Sequence, residues 1–502
     1  MKYILAIDQS TAGTKGIIIG TDGRIISRQD ISHRQITNDK GWIEHDPMEI
    51  FENVLRVSKL TVEKAGITTE ELTAVGISNQ RETVVAWDRK TGKPVCNAVV
   101  WQCGRAADIA AELEPYAEEI RTITGLQLSP YFSGQKMAWI LRNVPRASEL
   151  ASEGRLAFGT IDAWLVYKLT DGKSFKTDYS NASRTMLLDL NSMTWSARVA
   201  GLLGIDVSML PEICMSDADF GNTTVGGLCQ NAIPIHGVLG DSHAALYAND
   251  CREPYTAKAT FGTGTSVMMN AGTTRPADRA AALGMEISQG VVESVAWAKS
   301  GTINYAIEGN INYSGAIIKW MTDKIGLMVS SKESGPLAES VPDNGGVYLV
   351  PAFSGLGAPY WASGINAMIC GMKTSTTKAH IVRAGEEAIA YQIRDIVEEI
   401  NASDEWELSS LAVDGGAIRD RFLMNFVCGM LNVPLRISEV EELSAVGAGY
   451  MAAIGCGAAK EETLFASVSH RMLQPAMASE ERDKFYAGWK NAVNMLIEKE
   501  NK

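Results

Sequence analysis

Several signals that would assign this 502-residue chain to a common class are missing from its sequence. No stretch approaches the roughly 18 uncharged apolar residues that a transmembrane helix needs. Lys2 is followed by only five apolar residues, so we expect no secretory signal peptide. Four motifs are also absent: the Walker A P-loop, G-x-G-x-x-G after a strand, H-E-x-x-H and G-x-S-x-G. The sequence therefore gives no support to a P-loop or dinucleotide-binding fold.

Basic charge and paired cysteines are scarce as well. The net charge is −13, and because nucleic acid and anionic membranes need a basic face, we expect neither as a main partner. An anionic substrate must therefore be held locally. The eight cysteines form no C-x-x-C pair and no metal-like cluster with the six histidines. We expect free thiols in a reducing cytoplasm.

The composition that is present favours a globular protein. Hydrophobic residues make up 46% of the chain and charged residues 21%, which allows a sizeable core. A prior of about 150 residues per domain suggests two or three domains. We place the boundary at residues 249–256 and predict domains at 1–248 and 249–502.

An N-terminal hairpin is the stretch around which the chain is organised. Residues 3–7 and 16–19 are apolar strands joined by a turn rich in small hydroxyl residues. Backbone N–H groups, threonine hydroxyls and the Lys15 ammonium can surround one anion there. Asp8 cannot bind phosphate directly, but it can hold a Mg²⁺ ion that bridges to phosphate oxygens. An ordinary hairpin with a Gly/Ser/Thr turn is the alternative.

A similar pattern opens the second half. Residues 256–261 and 266–269 are predicted strands that flank a Gly/Thr turn at 262–265. We interpret the repeat as an internal duplication, with two domains that each start with a phosphate-binding hairpin and face each other across a cleft.

Polar residues follow two further predicted strands. Arg81 and Glu82 come after the strand at 72–78 and can present donors and acceptors to a hydroxylated ligand, or form a surface ion pair. Asp241 follows the strand at 235–239 and precedes a small-residue helix, which suits a general base. A simple helix N-cap is the alternative.

Two aromatic residues are candidates for a ligand site. Trp101 ends a predicted strand and can be either a core residue or a flat apolar wall for a carbon backbone. Tyr131 lies at the end of a loop, where it can offer its hydroxyl.

Two later stretches suit a nucleotide. We predict that residues 305–321 are helical, with Gly315 where something approaches the backbone. The strand at 411–413 runs into a turn that contains Gly415 and Gly416 before a helix. Such a turn lets a nucleotide lie against the backbone.

Long motifs occur in a specific order, at residues 79–83, 101–103, 131–140, 177–187, 351–361 and 413–417. In these motifs, and over essentially its full length, the chain resembles the FGGY family of carbohydrate kinases. Within that family it is most similar to the glycerol kinases.

The resemblance implies an α/β fold of two actin-like, ribonuclease-H-like ATPase domains, with a cleft for ATP-Mg²⁺ and a small polyol or sugar. It implies that Asp241 takes a proton from the terminal hydroxyl of the substrate, which attacks the γ-phosphorus. Asp8 would hold Mg²⁺. The nucleotide would contact Thr11, Lys15, Gly262, Thr263, Gly315, Lys319, Gly416 and Asp420, and the substrate would contact Arg81, Glu82, Trp101, Tyr131, Asp241, Ser242 and Ser266. We also expect a homo-oligomer.

Some positions depart from the glycerol kinase pattern. Ser242 replaces a Gln directly after Asp241, and Ser266 replaces a Phe shortly after the Gly-Thr-Gly turn. Both changes enlarge the pocket, which costs a small ligand roughly 1–3 kcal/mol per missing apolar contact. Serine hydroxyls with His243 nearby can meet extra substrate oxygens. Further departures in the nucleotide grip are Ser10, Ala12, Lys15 and Asp420.

Three functions stay open. The first is an ATP-dependent glycerol kinase, and the second is a kinase for a larger polyol or ketose such as erythritol, xylulose or ribulose. The third is a non-catalytic, actin-like nucleotide-binding regulator. The retained polyol-site residues argue against the third, because a regulator has no need of them.

Overall fold

The computed structural model describes residues 2–362, 364–401 and 408–500. The chain divides into two units. Unit 1 comprises Met1–Asp250, Glu293–Tyr305 and Glu442–Val468, and unit 2 comprises Cys251–Val292, Ala306–Glu441 and Ser469–Lys502. Two segments of the later chain thus belong to the N-terminal unit.

The strands of the described chain, in order, are β1 (Tyr3–Gln9), β2 (Gly13–Gly20), β3 (Ile25–Ser32), β4 (Ile36–Thr37), β5 (Ile43–His45), β6 (Leu72–Asn79), β7 (Val84–Asp88), β8 (Lys93–Pro94), β9 (Ala98–Val99), β10 (Leu156–Thr160), β11 (Lys176–Asp178), β12 (Leu188–Asp189), β13 (Thr194–Trp195), β14 (Glu212–Cys214), β15 (Asn222–Thr223), β16 (Ile233–Gly240), β17 (Ala257–Phe261), β18 (Thr265–Gly272), β19 (Val292–Lys299), β20 (Thr302–Ile311), β21 (Tyr348–Val350), β22 (Met368–Cys370), β23 (Leu411–Gly415), β24 (Leu435–Ser438) and β25 (His470–Leu473).

The α-helices of the described chain are α1 (Pro47–Ala65), α2 (Ala107–Glu112), α3 (Ala117–Thr124), α4 (Ser133–Asn143), α5 (Pro145–Ser152), α6 (Ile161–Leu169), α7 (Tyr179–Ala182), α8 (Ala197–Leu203), α9 (Asp241–Ala248), α10 (Pro276–Ala282), α11 (Gly315–Asp323), α12 (Ser334–Glu339), α13 (Lys378–Ile400), α14 (Arg421–Leu431), α15 (Leu443–Gly455), α16 (Glu461–Phe465) and α17 (Ser479–Glu500).

Unit 1 is built on a six-stranded sheet in the order β15-β16-β6-β1-β2-β3. β1 pairs antiparallel with β2 and parallel with β6, and β6 pairs parallel with β16. The strands β1 and β6 are buried along nearly their whole length, as central parallel strands covered on both faces are. The Gly/Ala-rich helix α15 packs against this sheet.

Unit 2 contains the strand order β20-β18-β17-β23-β24-β25, with β19 next to β20. β17 pairs antiparallel with β18 and parallel with β23, and β23 pairs parallel with β24. Helix α13 packs on α14. Its residues Ile389, Ile393 and Ile396 are completely buried, and their spacing places them on one face of the helix.

The two units repeat one pattern of strand pairing. In each unit an antiparallel hairpin is followed by a strand parallel to its first member and then by another parallel strand: β1-β2, β6 and β16 in unit 1, and β17-β18, β23 and β24 in unit 2. The repeat predicted from the two hairpins is therefore confirmed in the strand pairing.

One expectation about local structure is wrong, and one alternative is excluded. The first half of residues 305–321 is not helical, because β20 extends to Ile311 and α11 starts only at Gly315. β20 lies between β19 and β18, and this pairing overrides a local pattern of small and polar residues. Asp241 is not a helix N-cap either, since Gly240 holds that position and Asp241 is the first helical residue.

Among the described residues, no helix combines the length and the apolar character that crossing a bilayer requires.

Candidate active site

Three parallel strands of unit 1 end at one edge of the sheet. Ser78, near the end of β6, is the register partner of Asp8 in β1 and of Leu239 in β16. Asp241 comes two residues after Leu239, at the start of α9. The register alone therefore brings the Asp8 and Asp241 backbones to the same edge, where open α/β sheets bind their ligands.

Asp8 is a buried carboxylate with an exposure of only 4%. Its Oδ1 accepts a hydrogen bond from the Ser78 hydroxyl at 2.5 Å, and its Oδ2 lies 3.9 Å from Lys15 Nζ. Burial raises the pKa of the Asp8 carboxyl, and the Lys15 ammonium partly offsets that rise. A bound cation would favour the ionised form, which is the chemistry of a Mg²⁺ ligand.

Lys15 is held beside Asp8 by a second carboxylate. Lys15 Nζ donates to Glu442 Oε2 at 2.5 Å, and Arg28 Nη2 lies 2.8 Å from Glu442 Oε1. Glu442 has φ 60° immediately before α15. A left-handed conformation costs a residue other than glycine about 1–3 kcal/mol, so the surroundings of Glu442 must hold it in place.

The turn between β1 and β2 has its carbonyl groups satisfied from within unit 1. Each has a donor: the Gln9 and Gln80 amides for Ser10, the Gln35 amide for Thr11, the His33 N–H for Ala12 and the Ser10 N–H for Gly13. The N–H groups of Thr11 and Ala12 donate to no group in the described part of the chain. Successive N–H groups beside an ammonium form an anion-binding concavity.

Trp101 connects this turn to the predicted substrate residues. Its indole Nε1 donates to Thr11 Oγ1 at 2.9 Å, and its backbone N–H donates to Thr83 Oγ1 at 3.1 Å. Its ring meets the Tyr131 ring edge-on, with the centroids 5.4 Å apart. Trp101 is half-buried, so part of its surface remains open to a ligand.

Lys136 fixes the loop that carries Tyr131. It is completely buried, and its Nζ donates to the carbonyls of Pro130 at 2.8 Å and Phe132 at 3.3 Å and also to that of Tyr131. Burial lowers the pKa of Lys136 to about 7. One ammonium thus holds three consecutive carbonyls immediately before α4.

Asp241 is oriented by its neighbours and still open to solvent. Arg81 Nε lies 3.3 Å from Asp241 Oδ1, and the Ser242 N–H donates to the same oxygen at 2.7 Å. The Asp241 side chain is 33% exposed, whereas Arg81 is 5% exposed. Gly240 permits this approach, because a Cβ there would lie 2.8 Å from Arg81 Cδ. The arrangement suits a base that meets a substrate proton.

Glu82 is fixed by a buried ion pair. Its backbone is left-handed with φ 61°, and its Oε1 accepts from Arg184 Nε at 2.6 Å. The two side chains are 2% and 1% exposed. The Arg184 guanidinium also lies over the rings of Phe132 and Tyr131, at 5.1 and 5.9 Å from their centroids. Breaking such a pair leaves a buried charge and costs about 3–5 kcal/mol.

In unit 2, the turn at residues 262–264 rests against the start of α11. The Ser314 and Ala316 N–H groups donate to Thr263 O at 2.9 and 3.0 Å, and the Gly315 N–H donates to Gly262 O at 3.1 Å. A Cβ at Gly315 would lie 2.6 Å from Gly262 O, so this contact requires glycine. Gly262 and Thr263 remain exposed, and so does Lys319 one turn further along α11.

The Gly-Gly turn after β23 presents open backbone. Gly415 has φ 97°, and its Cβ would lie 2.2 Å from Phe261 O. Gly416 is exposed, and a Cβ there would have nothing within 4 Å. Asp420 instead accepts hydrogen bonds from the Leu423 N–H at 3.0 Å and the Ser334 hydroxyl at 3.3 Å, so it caps α14. A nucleotide contact by Asp420 stays a prediction.

Ser266 belongs to a polar network in unit 2. Its hydroxyl donates to Glu308 Oε1 at 3.0 Å, and Lys258 Nζ donates to Ser266 Oγ at 3.4 Å and to Thr260 Oγ1 at 2.9 Å. Thr260 donates to Asp414 Oδ2 at 3.1 Å. Lys258 and Glu308 are completely buried. Position 266 is therefore polar and hydrogen-bonded.

The residues present fit a nucleotide with Mg²⁺. Within the described ranges, no group of three or more His, Cys, Asp or Glu could hold a metal. Mg²⁺ needs no such cage, because it uses one or two carboxylates together with substrate phosphates. Asp8 offers the carboxylate, and the Thr11 and Ala12 N–H groups suit phosphate oxygens. These are the features of a nucleotide-dependent phosphotransferase, in which positioning and charge neutralisation supply most of the catalysis.

Comparison with known proteins identifies the family. The model of the N-terminal domain of the FGGY family of carbohydrate kinases matches residues 3–248, and that of the C-terminal domain matches residues 257–456. The chain belongs to the FGGY family of carbohydrate kinases. It is an ATP-dependent kinase that acts on a small polyol or sugar and uses Mg²⁺, so the resemblance, the fold and the cofactors expected from the sequence are confirmed.

Relatives of similar length are named glycerol kinases. Glycerol kinase 2 of Thermotoga maritima is 42% identical over 503 residues, which cover 99% of both chains. Glycerol kinase of Symbiobacterium thermophilum is 43% identical, covering 98% of this chain and 97% of its own. The crystal structure of Plasmodium falciparum glycerol kinase with ADP superposes with a TM-score of 0.89 at 31% identity, covering 99% of this chain and 98% of that one.

A more distant structure shares the fold. Xylulose kinase from Lactobacillus acidophilus has a TM-score of 0.85 at 18% identity, with 98% of each chain covered.

The predicted residues of unit 1 form a connected set, whereas some functional partners were missed. The Trp101 side chain contacts both Thr11 and Tyr131, and Arg81 forms an ion pair with Asp241. The missed residues are those that hold the predicted ones: Gln80, Lys136, Arg184 and Glu442. Gln80, Lys136 and Arg184 lie inside motifs quoted above, which was the only signal for them.

Proposed function

We propose that the chain is a polyol kinase of the glycerol kinase type, which transfers the γ-phosphoryl group of ATP to a terminal hydroxyl. The observation that carries the proposal is Asp241, held by Arg81, open to solvent and at the same sheet edge as Asp8. The glycerol kinase relatives, at 42% and 43% identity, support a polyol as the acceptor.

In this proposal Asp241 accepts the proton of the substrate hydroxyl while the hydroxyl oxygen attacks the γ-phosphorus of ATP, and the bond from that phosphorus to the departing ADP breaks. A positioned base contributes about 10²–10⁴-fold to the rate. Arg81 keeps the carboxylate aligned. Asp8 would hold Mg²⁺, which would neutralise charge on the phosphates. Lys15 and the turn that contains Thr11 hold phosphate oxygens.

The polyol would lie on the Trp101 ring and be hydrogen-bonded by Arg81, Glu82 and the Tyr131 hydroxyl. Because Arg184 and Lys136 fix Glu82 and the Tyr131 loop, these groups are ordered before the substrate arrives, which lowers the entropic cost of binding.

Unit 2 would supply the remaining nucleotide contacts. We assign Gly262 and Thr263 to phosphate, and Gly315, Lys319, Gly416 and Asp420 to the rest of the nucleotide. Residues 1–248 would thus form the substrate side and residues 249–502 the nucleotide side.

A larger polyol or ketose is the second candidate, and the polar network at Ser266 favours it. A hydroxyl joined to Glu308 and Lys258 can exchange hydrogen bonds with an extra substrate oxygen, which an apolar side chain cannot do. Ser242 contributes another hydroxyl next to Asp241.

An ADP-release screen of the purified protein tests the function. Glycerol, tetritols, pentitols and ketopentoses would be compared by kcat/KM. We expect turnover with at least one of them. Turnover with none of these acceptors, although ADP still binds, would contradict the proposal and favour a nucleotide-binding regulator.

Asp241→Asn tests the base. We expect turnover to fall by about 10²–10⁴-fold while the affinity for MgADP stays unchanged, because only the proton acceptor is lost. Asp22→Asn is a matched control, since Asp22 is also 33% exposed and paired with an arginine, Arg24. Substantial turnover in Asp241→Asn would contradict the assignment.

We also propose a cytoplasmic location and a homo-oligomer. All eight cysteines are free thiols, which suits a reducing compartment. Light scattering after size-exclusion chromatography would give the oligomeric state.

A further inference from the structure

A hydrogen bond joins one of the predicted polyol residues to one of the predicted phosphate residues. Trp101 Nε1 lies 2.9 Å from Thr11 Oγ1. An indole N–H can only donate, so the Thr11 oxygen is the acceptor. The hydroxyl proton of Thr11 consequently points away from Trp101, and it has no acceptor among the residues that the structure describes.

We propose that Trp101, besides forming a wall for the polyol, is a positioning residue for the nucleotide: it fixes the rotation of the Thr11 hydroxyl so that the proton is presented to a phosphate oxygen. The inference rests on the proposed function, in which Thr11 contacts phosphate. It assigns a role to the indole N–H, which a flat apolar wall for the polyol would not require.

Both partners of this hydrogen bond are fixed independently. The Thr11 carbonyl accepts from Gln35 Nε2 at 2.7 Å, which holds the backbone of the turn. The Trp101 backbone N–H donates to Thr83 Oγ1, and the indole packs on Tyr131, whose own carbonyl is held by Lys136. Other contacts therefore hold both the donor and the acceptor in place.

A fixed hydroxyl is worth more to a ligand than a rotating one. A threonine hydroxyl that rotates freely must be ordered when phosphate binds, and that ordering weakens binding. Because the indole N–H occupies one lone pair of Thr11 Oγ1, the hydroxyl proton of Thr11 is already directed toward the phosphate. Removing the indole donor should therefore weaken nucleotide binding by roughly two- to tenfold, the range expected for one hydrogen bond.

Trp101→Phe is the informative variant, because it keeps a flat apolar ring and removes only the donor. Thr11→Val removes the hydroxyl, and the double variant shows whether the two side chains act through one bond. Trp195→Phe is the matched control, since Trp195 Nε1 donates to Pro211 O at 2.7 Å elsewhere in unit 1. Calorimetry with MgADP gives the nucleotide Kd, steady-state kinetics give KM for ATP and for the polyol, and thermal unfolding confirms the fold of each variant.

We expect the Kd for MgADP and the KM for ATP to rise together in Trp101→Phe, with a smaller change in the polyol KM. Thr11→Val should weaken nucleotide binding at least as much, and the double variant should match Thr11→Val. An unchanged nucleotide Kd in Trp101→Phe, or effects that multiply in the double variant, would overturn the inference and leave the proposed function intact. An unchanged Kd in Thr11→Val would overturn the phosphate role of Thr11 and the inference with it.

Discussion

At the scale of single residues, Ser266 is a position at which we predict that a substitution changes substrate preference. Its hydroxyl is tied to Glu308 and Lys258. In Ser266→Phe an aromatic ring fills the space and removes that hydroxyl. We expect kcat/KM for glycerol to rise relative to a tetritol or pentitol by about 10-fold or more, the effect of regaining apolar contacts.

Ser266→Ala separates the two changes in that variant, because it removes the hydroxyl without filling the space. We expect its kcat/KM for a tetritol or pentitol to fall while its kcat/KM for glycerol stays near that of the unaltered chain, because the hydroxyl proposed to bind an extra substrate oxygen is lost. Equal substrate ratios in Ser266→Phe and the unaltered chain would contradict the idea of an enlarged pocket.

Asp162 links proton binding to stability. It accepts from Thr160 Oγ1 at 2.5 Å and Thr177 Oγ1 at 2.6 Å. Burial, together with the nearby charge of Asp178, raises the pKa of Asp162 to about 7. The folded state therefore holds this proton more tightly than the unfolded state, so the contribution of Asp162 to stability is full below about pH 4 and is lost as pH rises to about 7.

Asp162→Asn should flatten that dependence, since an amide does not titrate. The measurement is the free energy of unfolding at pH 5 and pH 8 for both proteins. We expect the unaltered chain to lose more stability between these pH values than the variant does. An identical loss in both would contradict the raised pKa.

Candidate site residues could be predicted where strand ends and turn composition mark them. The residues that hold them in place could not be predicted. Asp8 and Asp241 each follow an apolar strand, which is a local pattern. The partner of Glu82 is Arg184, 102 residues further along the chain, and no local feature links the two. The left-handed backbone of Glu82 is equally invisible in sequence, because residues other than glycine adopt it only when the surroundings enforce it.

At the scale of elements, helix α15 approaches α9 so closely that only glycine fits between them. A Cβ at Gly447 would lie 2.0 Å from Ala244 O, and Ala244 is on the helix that begins with Asp241. Gly447→Ala must therefore push α9. We expect the free energy of unfolding to fall by about 1–3 kcal/mol, the range for overpacking, with reduced turnover.

Gly201→Ala is the control for that substitution. Gly201 lies within α8, where a Cβ would have nothing within 4 Å. Alanine there should raise stability by about 0.4–1 kcal/mol by restricting the unfolded chain. If chemical unfolding gave the same result for both variants, the close approach of α15 to α9 would not be a constraint.

Element type was predictable where periodicity and turn residues agree. The start of helix α1 is marked by local residues, because Asp46 caps it and Pro47 opens it. Pro115 likewise marks a break, because a proline interrupts a helix, and a 3₁₀ turn separates α2 from α3 there. β20 was missed because its type is set by its neighbours β18 and β19.

At the scale of the whole molecule, the repeated strand pairing explains why each unit has its own hairpin turn, for which we predict anion binding. In both units the turn closes an antiparallel hairpin whose first strand continues into a parallel pair. In unit 1 the carbonyls of the turn are satisfied by side-chain amides and backbone N–H groups, and in unit 2 by the start of α11. Sequence could predict the two hairpins, but not these partners, which come from distant segments.

If one ATP contacts the predicted residues of both units, hydrogen exchange must detect protection of backbone amides in both units during a single titration. The Thr11, Ala12 and Thr263 N–H groups have no acceptor in the described chain, and Gly416 is exposed, so all of these sites should exchange quickly without a ligand. With MgATP and no acceptor, peptides covering residues 10–13, 262–264 and 415–417 should gain protection at the same half-saturating concentration. A peptide covering α8 serves as the unaffected reference. Protection confined to one unit would limit the nucleotide contacts to that unit and exclude the assignments made in the other.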